Sequence, residues 1–258
     1  GGTTTRSSAS FSCTDALDQA VRRLLSIDVV SPYAQGYLTD GSRLHYVSGA
    51  AGGPYVTIDR PSRNQVNLEQ LTGQNVLSAN MAAFLSASIQ LGRVVVVSSN
   101  DLDSRFDFVS ALLAEVDATT RVVCVDSGGR LAKPNDQSVQ LTASNGSGLE
   151  QALLMRPDYL VLADIACSTP IQALVAMGST TAGGLLGVSA DSPEDAVLRI
   201  AKQSGTRANQ PADRIAELAR DRIDVIVQIH SFGDGTHRVT QVMDVDGDMN
   251  ETFTGFDG

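Results

Sequence analysis

The chain has 258 residues, 42% of them hydrophobic, which is enough for one large domain or two small ones with a substantial core. Asp and Glu number 29 against 19 Lys and Arg, so the net charge is −10. This balance argues against a nucleic-acid partner, because phosphate contacts need clustered Lys and Arg. No apolar run approaches the roughly 20 residues of a membrane-spanning helix, and no signal peptide is visible.

The first quarter of the chain predicts a flexible tail or linker over residues 1–12 and a small α+β domain over residues 13–62. Thr14 would cap a short amphipathic helix. Alternating residues then flank Asp40 and Gly41, a dipeptide typical of a hairpin turn, and a third strand follows.

Residues 63–258 predict a larger domain of the α/β class, because short apolar runs alternate with amphipathic segments. Residues 94–97 are all valine, which is typical of a strand buried on both faces of a parallel sheet. Further parallel strands are predicted at residues 121–126, 139–141, 159–165, 183–188 and 224–230. An antiparallel edge strand would follow the turn at Gly233 to Gly235.

The segment after the valine run lies between a strand and a helix, where a phosphate-binding loop lies in nucleotide-binding proteins. Residues 98–105 are polar and predict a loop, and a helix whose positive end would face a ligand is predicted from Phe106. Nucleotide-binding proteins carry G-x-x-x-x-G-K-[ST] in this frame, whereas this chain reads SNDLDSRF from Ser99. Branched side chains block the close approach that glycine permits, and phenylalanine cannot ligate Mg²⁺.

Four segments together resemble the secretion-ATPase superfamily of type II and type IV secretion and Tad pilus systems, with the CpaF-like branch closest. They read LTDGSRLHYV, RPDYLVLADI, ADSPEDAVLRI and IDVIVQIHSFGDGTHRVTQVMDV. The resemblance implies a RecA-like domain, a mostly parallel sheet flanked by helices, joined to a small α+β N-terminal domain. It also implies a homo-oligomer, a hexamer in many relatives, or assembly with an active paralogous ATPase. Such proteins are cytoplasmic and peripheral to the inner membrane through secretion or pilus platform proteins.

Carried over residue by residue, the family's active-site motifs are degenerate. The family's histidine box falls on LGVSADS, with Ser189 in place of histidine, and Arg43 and Arg60 match arginines that help to bind nucleotide phosphates. The remaining correspondences are the Walker A glycines at Ser99, Asn100, Leu102 and Ser104, the phosphate lysine at Arg105, the Mg²⁺ hydroxyl at Phe106, the catalytic glutamate at Asp126 and the Walker B glutamate at Asp164.

These losses predict a catalytically inactive member of the family, a pseudo-ATPase with a structural or regulatory role and no cofactor. Whether a nucleotide still binds stays open. One alternative is a working ATPase that binds ATP and Mg²⁺ through an unorthodox site built on Arg105, Asp126 and Asp164. Another is a repurposed protein-binding module.

Several polar residues have two interpretations from the sequence alone. We expect Arg105 to lie in a solvated loop rather than to act as a phosphate counter-charge. Asp126 and Asp164 are expected to be solvated acids at strand ends rather than a remnant metal site. For Arg43, a hairpin ion pair and an inter-subunit role are equally open. No metal site is expected, since His45, His230 and His237 lack partners at ligand spacing.

The three cysteines are odd in number and widely spaced, which predicts reduced, buried or incidental thiols in a cytosolic protein. They are Cys13, Cys124 and Cys167.

Overall fold

The computed structural model describes residues 11–28, 32–48, 54–60, 66–126, 128–131, 133–142, 148–164, 170–208, 211–245 and 250–254. Contacts between residues divide the chain into two units, Gly1–Ser62 and Arg63–Gly258. Most of the predicted tail, and Cys167, lie outside the described residues. Of the other thiols, Cys13 is exposed and Cys124 is buried. Within the described ranges, no helix is both long and apolar enough to cross a bilayer.

The first unit packs one helix against a three-stranded antiparallel sheet of order β1-β2-β3. The predicted hairpin is confirmed, with Gly41 at a positive φ of 81° in the turn. Thr14 is not the cap that the sequence predicts, because the extended residue before the helix is Cys13, which makes no side-chain cap bond. The elements are α1 (Thr14–Leu25), β1 (Tyr33–Tyr37), β2 (Arg43–Val47) and β3 (Tyr55–Asp59).

The second unit is an α/β sandwich, as predicted. Its elements are α2 (Leu68–Gly73), α3 (Ala79–Gln90), β4 (Val94–Ser98), α4 (Leu102–Leu113), β5 (Val122–Asp126), β6 (Val139–Thr142), α5 (Gly148–Leu154), β7 (Tyr159–Leu162), α6 (Pro170–Ser179), β8 (Gly184–Val188), α7 (Pro193–Ala208), α8 (Ala212–Arg220), β9 (Val225–Ser231), β10 (His237–Asp244) and β11 (Asn250–Thr254).

The strands of this unit form one sheet in the order β11-β10-β9-β4-β8-β7-β5-β6. The strands from β9 to β6 run parallel, and β10 and β11 add an antiparallel edge. The mostly parallel sheet and its antiparallel edge are therefore confirmed. Strand β11 is an addition that the sequence did not predict.

Strand β4 lies in the middle of the sheet and belongs to two hydrophobic cores. Val94 and Val96 pack in the core formed with helices α5 to α8, and Val95 and Val97 pack in the core formed with α2 to α4. Successive side chains of a strand point to opposite faces, so a run of valines fills both cores at once. This arrangement fixes the carboxyl end of β4, where the predicted phosphate frame begins.

Candidate functional site

The candidate site lies where β4 and β8 end side by side, at the carboxyl edge of the parallel sheet. Ligands of α/β proteins bind at such an edge. The N–H of Ser99 donates to the carbonyl of Val188 at 3.1 Å, and the Ser98 hydroxyl lies 3.5 Å from the carbonyl of Ala190. The two segments that carry Ser99 and the half-buried Ser189 are thus adjacent.

Helix α4 begins earlier than predicted, at Leu102 rather than Phe106, so the loop after β4 is short. The cause is Asp101, whose backbone is extended and whose carboxylate accepts the N–H of Ser104 at 2.7 Å. The carbonyl of Asp101 also accepts the N–H of Arg105 at 3.3 Å. An N-cap of this kind satisfies a donor that the first helical turn would otherwise leave without a partner.

The two serines of the loop complete an internal network. The N–H of Asp101 donates to the Ser99 hydroxyl at 3.2 Å, and that hydroxyl lies 3.1 Å from the hydroxyl of Ser104. Both serines are buried. These polar groups of the segment that follows β4 therefore form hydrogen bonds with oxygen atoms of the same segment.

The prediction that Arg105 lies in a solvated loop is wrong. Its side chain is 2% exposed, and Nη1 donates to the carbonyl of Ser99 at 2.7 Å. Gly187 of β8 lies beside it, and a Cβ at this glycine would meet the Arg105 side chain only in ordinary van der Waals contact but would overlap the carbonyl oxygen of Ala163. Arg105 thus lies in the interior beneath the loop, whereas the polar residues around it in the sequence predict an exposed position.

Phe106, at the position of the family's Mg²⁺ hydroxyl, is buried under a second arginine. The guanidinium of Arg130 lies 4.6 Å from the centre of the Phe106 ring and forms an ion pair with the exposed Asp103. Only 7% of the Arg130 side chain is exposed. A cation over an aromatic face is favourable, more so when it is shielded from water. Sequence reasoning missed Arg130, which lies in the irregular segment after β5.

Asp126, expected to be a solvated acid, is instead fully buried at the end of β5. Its carboxylate accepts the N–H groups of Gly128, Gly129 and Leu131 and the side-chain amide of Gln140. These four donors occupy both oxygens of the carboxylate. Asp126 therefore organises the loop after β5. A general base must instead reach a reacting proton directly or through one water.

The remaining predicted site residues are dispersed over the two units. Asp164 follows β7, which ends at Leu162 rather than at residue 165 as predicted, and it is half-buried. In the first unit, Arg60 is exposed and Arg43 is half-buried on β2, opposite Asp59 in the strand register. Arg43 forms no ion pair with any described residue, so the described residues do not show the hairpin ion pair, one of its two open interpretations.

The described ranges contain no group of three or more His, Cys, Asp or Glu residues that could hold a metal ion. His230 and His237 lie on the paired strands β9 and β10, and the ring of His230 packs edge-on against Phe232 with 5.0 Å between the ring centres.

The first turns of α4 are electrostatically negative. The pKa of the Asp107 carboxyl is raised to about 6, first by burial and then by the nearby Asp103 and Asp101, against the opposing effects of His237 and Arg130. A carboxyl group is harder to ionise where other negative charges already lie. The same carboxylates would repel an anionic ligand that approaches this end of α4.

No family model matches the chain. It is 20% identical over 208 residues to the conjugal transfer protein TrbB of Rhizobium radiobacter, a match that covers 78% of this chain and 63% of that protein. A putative conjugal transfer protein of Mycobacterium tuberculosis is 25% identical over 213 residues, covering 71% of this chain and 60% of the relative. The chain thus spans less than two thirds of the length of these two relatives.

Solved structures of secretion ATPases share the fold. The VirB11 ATPase of the Brucella suis type IV secretion system superposes with a TM-score of 0.57 and 22% identity, covering 89% of this chain and 82% of that one. The Legionella pneumophila ATPase DotB gives a TM-score of 0.60 and 11% identity over 90% and 69% of the two chains. The pilus retraction motor PilT gives 0.55 and 12% over 78% and 58%. The predicted RecA-like fold is confirmed, and the resemblance to the secretion-ATPase superfamily is supported.

Proposed function

We propose that this chain, a relative in sequence and fold of the secretion-ATPase superfamily, is a catalytically inactive subunit of a Tad or type IV pilus-like or secretion machine. In this proposal it has a structural or regulatory role, and an active paralogous ATPase performs hydrolysis. Its homo-oligomer, a hexamer by analogy, or its complex with that paralogue binds platform proteins at the cytoplasmic face of the inner membrane. No nucleic acid takes part.

The observation that carries the proposal is the self-capped start of α4. The N-terminus of a helix attracts phosphate because its free N–H groups and its dipole favour negative charge. Here the carboxylate of Asp101 already accepts the N–H of Ser104 and brings its own negative charge to that position. A phosphate would have to displace the carboxylate of Asp101, which is covalently attached at that position.

The neighbouring residues support the same conclusion. Phe106 offers no oxygen to Mg²⁺ and is covered by Arg130. Arg105 is buried against Ser99, and Asp126 is engaged by the loop after β5. These residues do not fit a magnesium nucleotide, so we expect neither binding nor turnover.

The test is a titration of the purified protein with labelled ATP and ADP in the presence of Mg²⁺, combined with a phosphate-release assay. We expect no saturable binding at millimolar nucleotide and no phosphate release above that of a buffer blank. Asp164→Ala is the matched control for turnover, since Asp164 stands at the Walker B position. Any release that this variant retains comes from a contaminating ATPase.

Two results would count against the proposal in different ways. Phosphate release that Asp164→Ala abolishes would restore the working ATPase with an unorthodox site. Tight nucleotide binding without release would leave catalysis absent but would make the protein a nucleotide-sensing scaffold.

A further inference from the structure

The sheet of the first unit has one covered face and one open face. On the covered face, Leu44 and Tyr46 of β2 pack in the core with α1, and a Cβ at Gly36 of β1 would meet the side chain of Leu25. Successive side chains of a strand point to opposite faces, so the alternate residues lie on the open face. They form three cross-strand rows, which are Tyr33 with Val47 and Tyr55, Gln35 with His45 and Thr57, and Tyr37 with Arg43 and Asp59.

The first row of the open face forms a slot between two aromatic side chains. Tyr33 and Tyr55 are 74% and 54% exposed, and Val47 lies between them as the floor of the slot. Antiparallel neighbours have Cα atoms about 5.5 and 4.5 Å apart in alternation, so the Cα atoms of the two tyrosines are about 10 Å apart. This distance leaves room for one flat aliphatic ring, since each contact takes about 3.5–4.0 Å between carbon atoms.

The other two rows supply hydrogen-bond donors and a cation. Gln35 is exposed and carries two amide donors, and the half-buried ring of His45 carries at least one. Arg43 forms no ion pair with any described residue. A matching ligand therefore has an aliphatic ring at one end, carbonyl acceptors in the middle and an acidic group at the other end.

An extended proline-rich segment has these properties. In the polyproline II conformation the backbone carbonyls are solvated and free to accept hydrogen bonds, and proline has no N–H that would lose its partner on binding. The conformation exists before binding, so the segment loses little entropy, and aromatic-lined grooves of small domains bind such segments.

The spacing of the rows agrees with this conformation. Val47 and Arg43 are four residues apart on β2, a distance of about 13 Å. In polyproline II, residues three positions apart lie on the same side of the helix and are separated by about 9 Å. The remaining distance of about 4 Å is spanned by the long side chain of Arg43 and by an acidic side chain.

We infer that the open face binds a proline-rich segment of a partner protein. A proline of that segment lies in the slot between Tyr33 and Tyr55, and an acidic residue three positions away pairs with Arg43. This interaction goes beyond the proposed function, because it needs neither a nucleotide nor a second copy of the chain.

Single-stranded nucleic acid also stacks on exposed aromatic side chains, but the charge of this unit does not favour it. Nucleic-acid surfaces of that kind combine aromatic residues with a positively charged groove that follows the phosphates. Residues 1–62 contain five Arg, five Asp and no Lys or Glu, so they are neutral. On the open face itself, Arg43 is accompanied by Asp59.

The test is a titration of a fluorescein-labelled peptide, PPPPEPP, with the full chain, followed by fluorescence anisotropy. We expect saturable binding with a dissociation constant below about 0.5 mM. The peptide GGGGEGG keeps the acid but has no ring for the slot and is flexible, so it should bind at least about ten times more weakly.

Variants of the protein test the slot and the cation separately. Tyr33→Ala and Tyr55→Ala should each weaken binding about tenfold, as aromatic residues at the centre of an interface do. Phe232→Ala is the matched control, since it removes an aromatic side chain that is 43% exposed in the second unit. Arg43→Gln should weaken binding of PPPPEPP about threefold and leave binding of PPPPQPP unchanged. Arg23→Gln, at an exposed position of α1, is its control.

Circular dichroism of each variant checks that it is folded. The inference is overturned if PPPPEPP shows no saturable binding, if GGGGEGG binds equally well, or if the two tyrosine variants behave like Phe232→Ala. An Arg43→Gln variant that weakens both peptides equally would overturn the pairing with the acid. Displacement of the peptide by an oligothymidylate would identify a nucleic-acid surface and would also overturn the inference.

These failures are separate from failure of the proposed function. Phosphate release by the chain would refute the inactive subunit and leave the peptide-binding face standing. Absence of peptide binding would refute the peptide-binding face alone.

Discussion

At the start of α4, burial and the carboxylates of Asp103 and Asp101 together raise the pKa of a single residue, Asp107, against the opposing effects of His237 and Arg130. Asp107 is half-buried, and its pKa is raised to about 6 from an ordinary 3.8. A carboxyl whose pKa is higher in the folded state destabilises the fold once it ionises. The loss of stability therefore begins near pH 4, grows as the pH rises through 6 and is complete above it.

We accordingly expect Asp107→Asn to raise the melting temperature at pH 7.5, to do so less at pH 5 and to have no effect near pH 4. The side chain is partly solvated, so screening limits the gain to about 1 kcal/mol, which is about 2–4 °C for a domain of this size. Asp136→Asn, the same charge removal at an exposed loop residue, is the control in a thermal melt across these pH values. A gain that does not depend on pH would contradict the electrostatic explanation.

Residue environments were the least predictable feature of the site. Arg105 lies in a polar segment and Asp126 ends an apolar strand, and both were expected in solvent, yet both are buried. Residues distant in sequence lie against each of them. Gly187 lies beside Arg105, and Gln140 donates to Asp126. Periodicity reports local pattern and carries no information on such partners.

Some helices begin at residue types that favour an N-cap. Ser78 caps α3 by accepting the N–H of Met81, and Ser192 accepts the N–H of Asp195 at the start of α7. The start of α4 was missed because residues 98–105 are polar and were predicted to form a loop. Asp101 is itself a favoured N-cap residue, and its carboxylate determines where the helix begins.

The cap gives a prediction for the helix as a unit. Asp101→Ala removes the acceptor for the N–H of Ser104 and should lower the free energy of unfolding by about 0.5–2 kcal/mol. Asp101→Asn keeps an oxygen acceptor and is the matched control, with a much smaller expected loss. Urea denaturation of the two variants measures the difference. Equal losses would mean that the charge, rather than the hydrogen bond, holds the start of α4.

At the scale of the whole molecule, the two units have cores of unequal size. Among the residues that the structure describes, the core of the first unit contains four buried hydrophobic side chains, Leu17, Val21, Leu44 and Tyr46, whereas the second unit is built on two extensive cores. A small core buries little apolar surface to offset the entropy lost on folding. Local stability should therefore be lower in the first unit.

Native-state hydrogen exchange tests this difference. Both β2 and β4 are central strands with a partner on each side, so they form a matched comparison. We expect the amides of β2 to exchange at least about ten times faster than those of β4. Equal protection would indicate that the two units open in a single event.

The α/β class, the parallel sheet and its antiparallel edge were predictable because alternating apolar strands and amphipathic helices leave few topologies. The order of the strands in the sheet was not stated from the sequence. Strand β11 was missed because its five residues, NETFT, have little apolar character.

Strand β4 and the loop after it differ in the residues that stabilise them. Each valine of β4 packs in a core on one side of the sheet. Substitution of one of these valines therefore disturbs a whole layer of helices. The polar bonds of Ser99, Asp101 and Ser104 are made mostly to one another. We therefore expect a mutation in the loop to disturb the start of α4 rather than either core of the sheet. Proteins with this fold can therefore change the chemistry of this loop during evolution while they keep the fold.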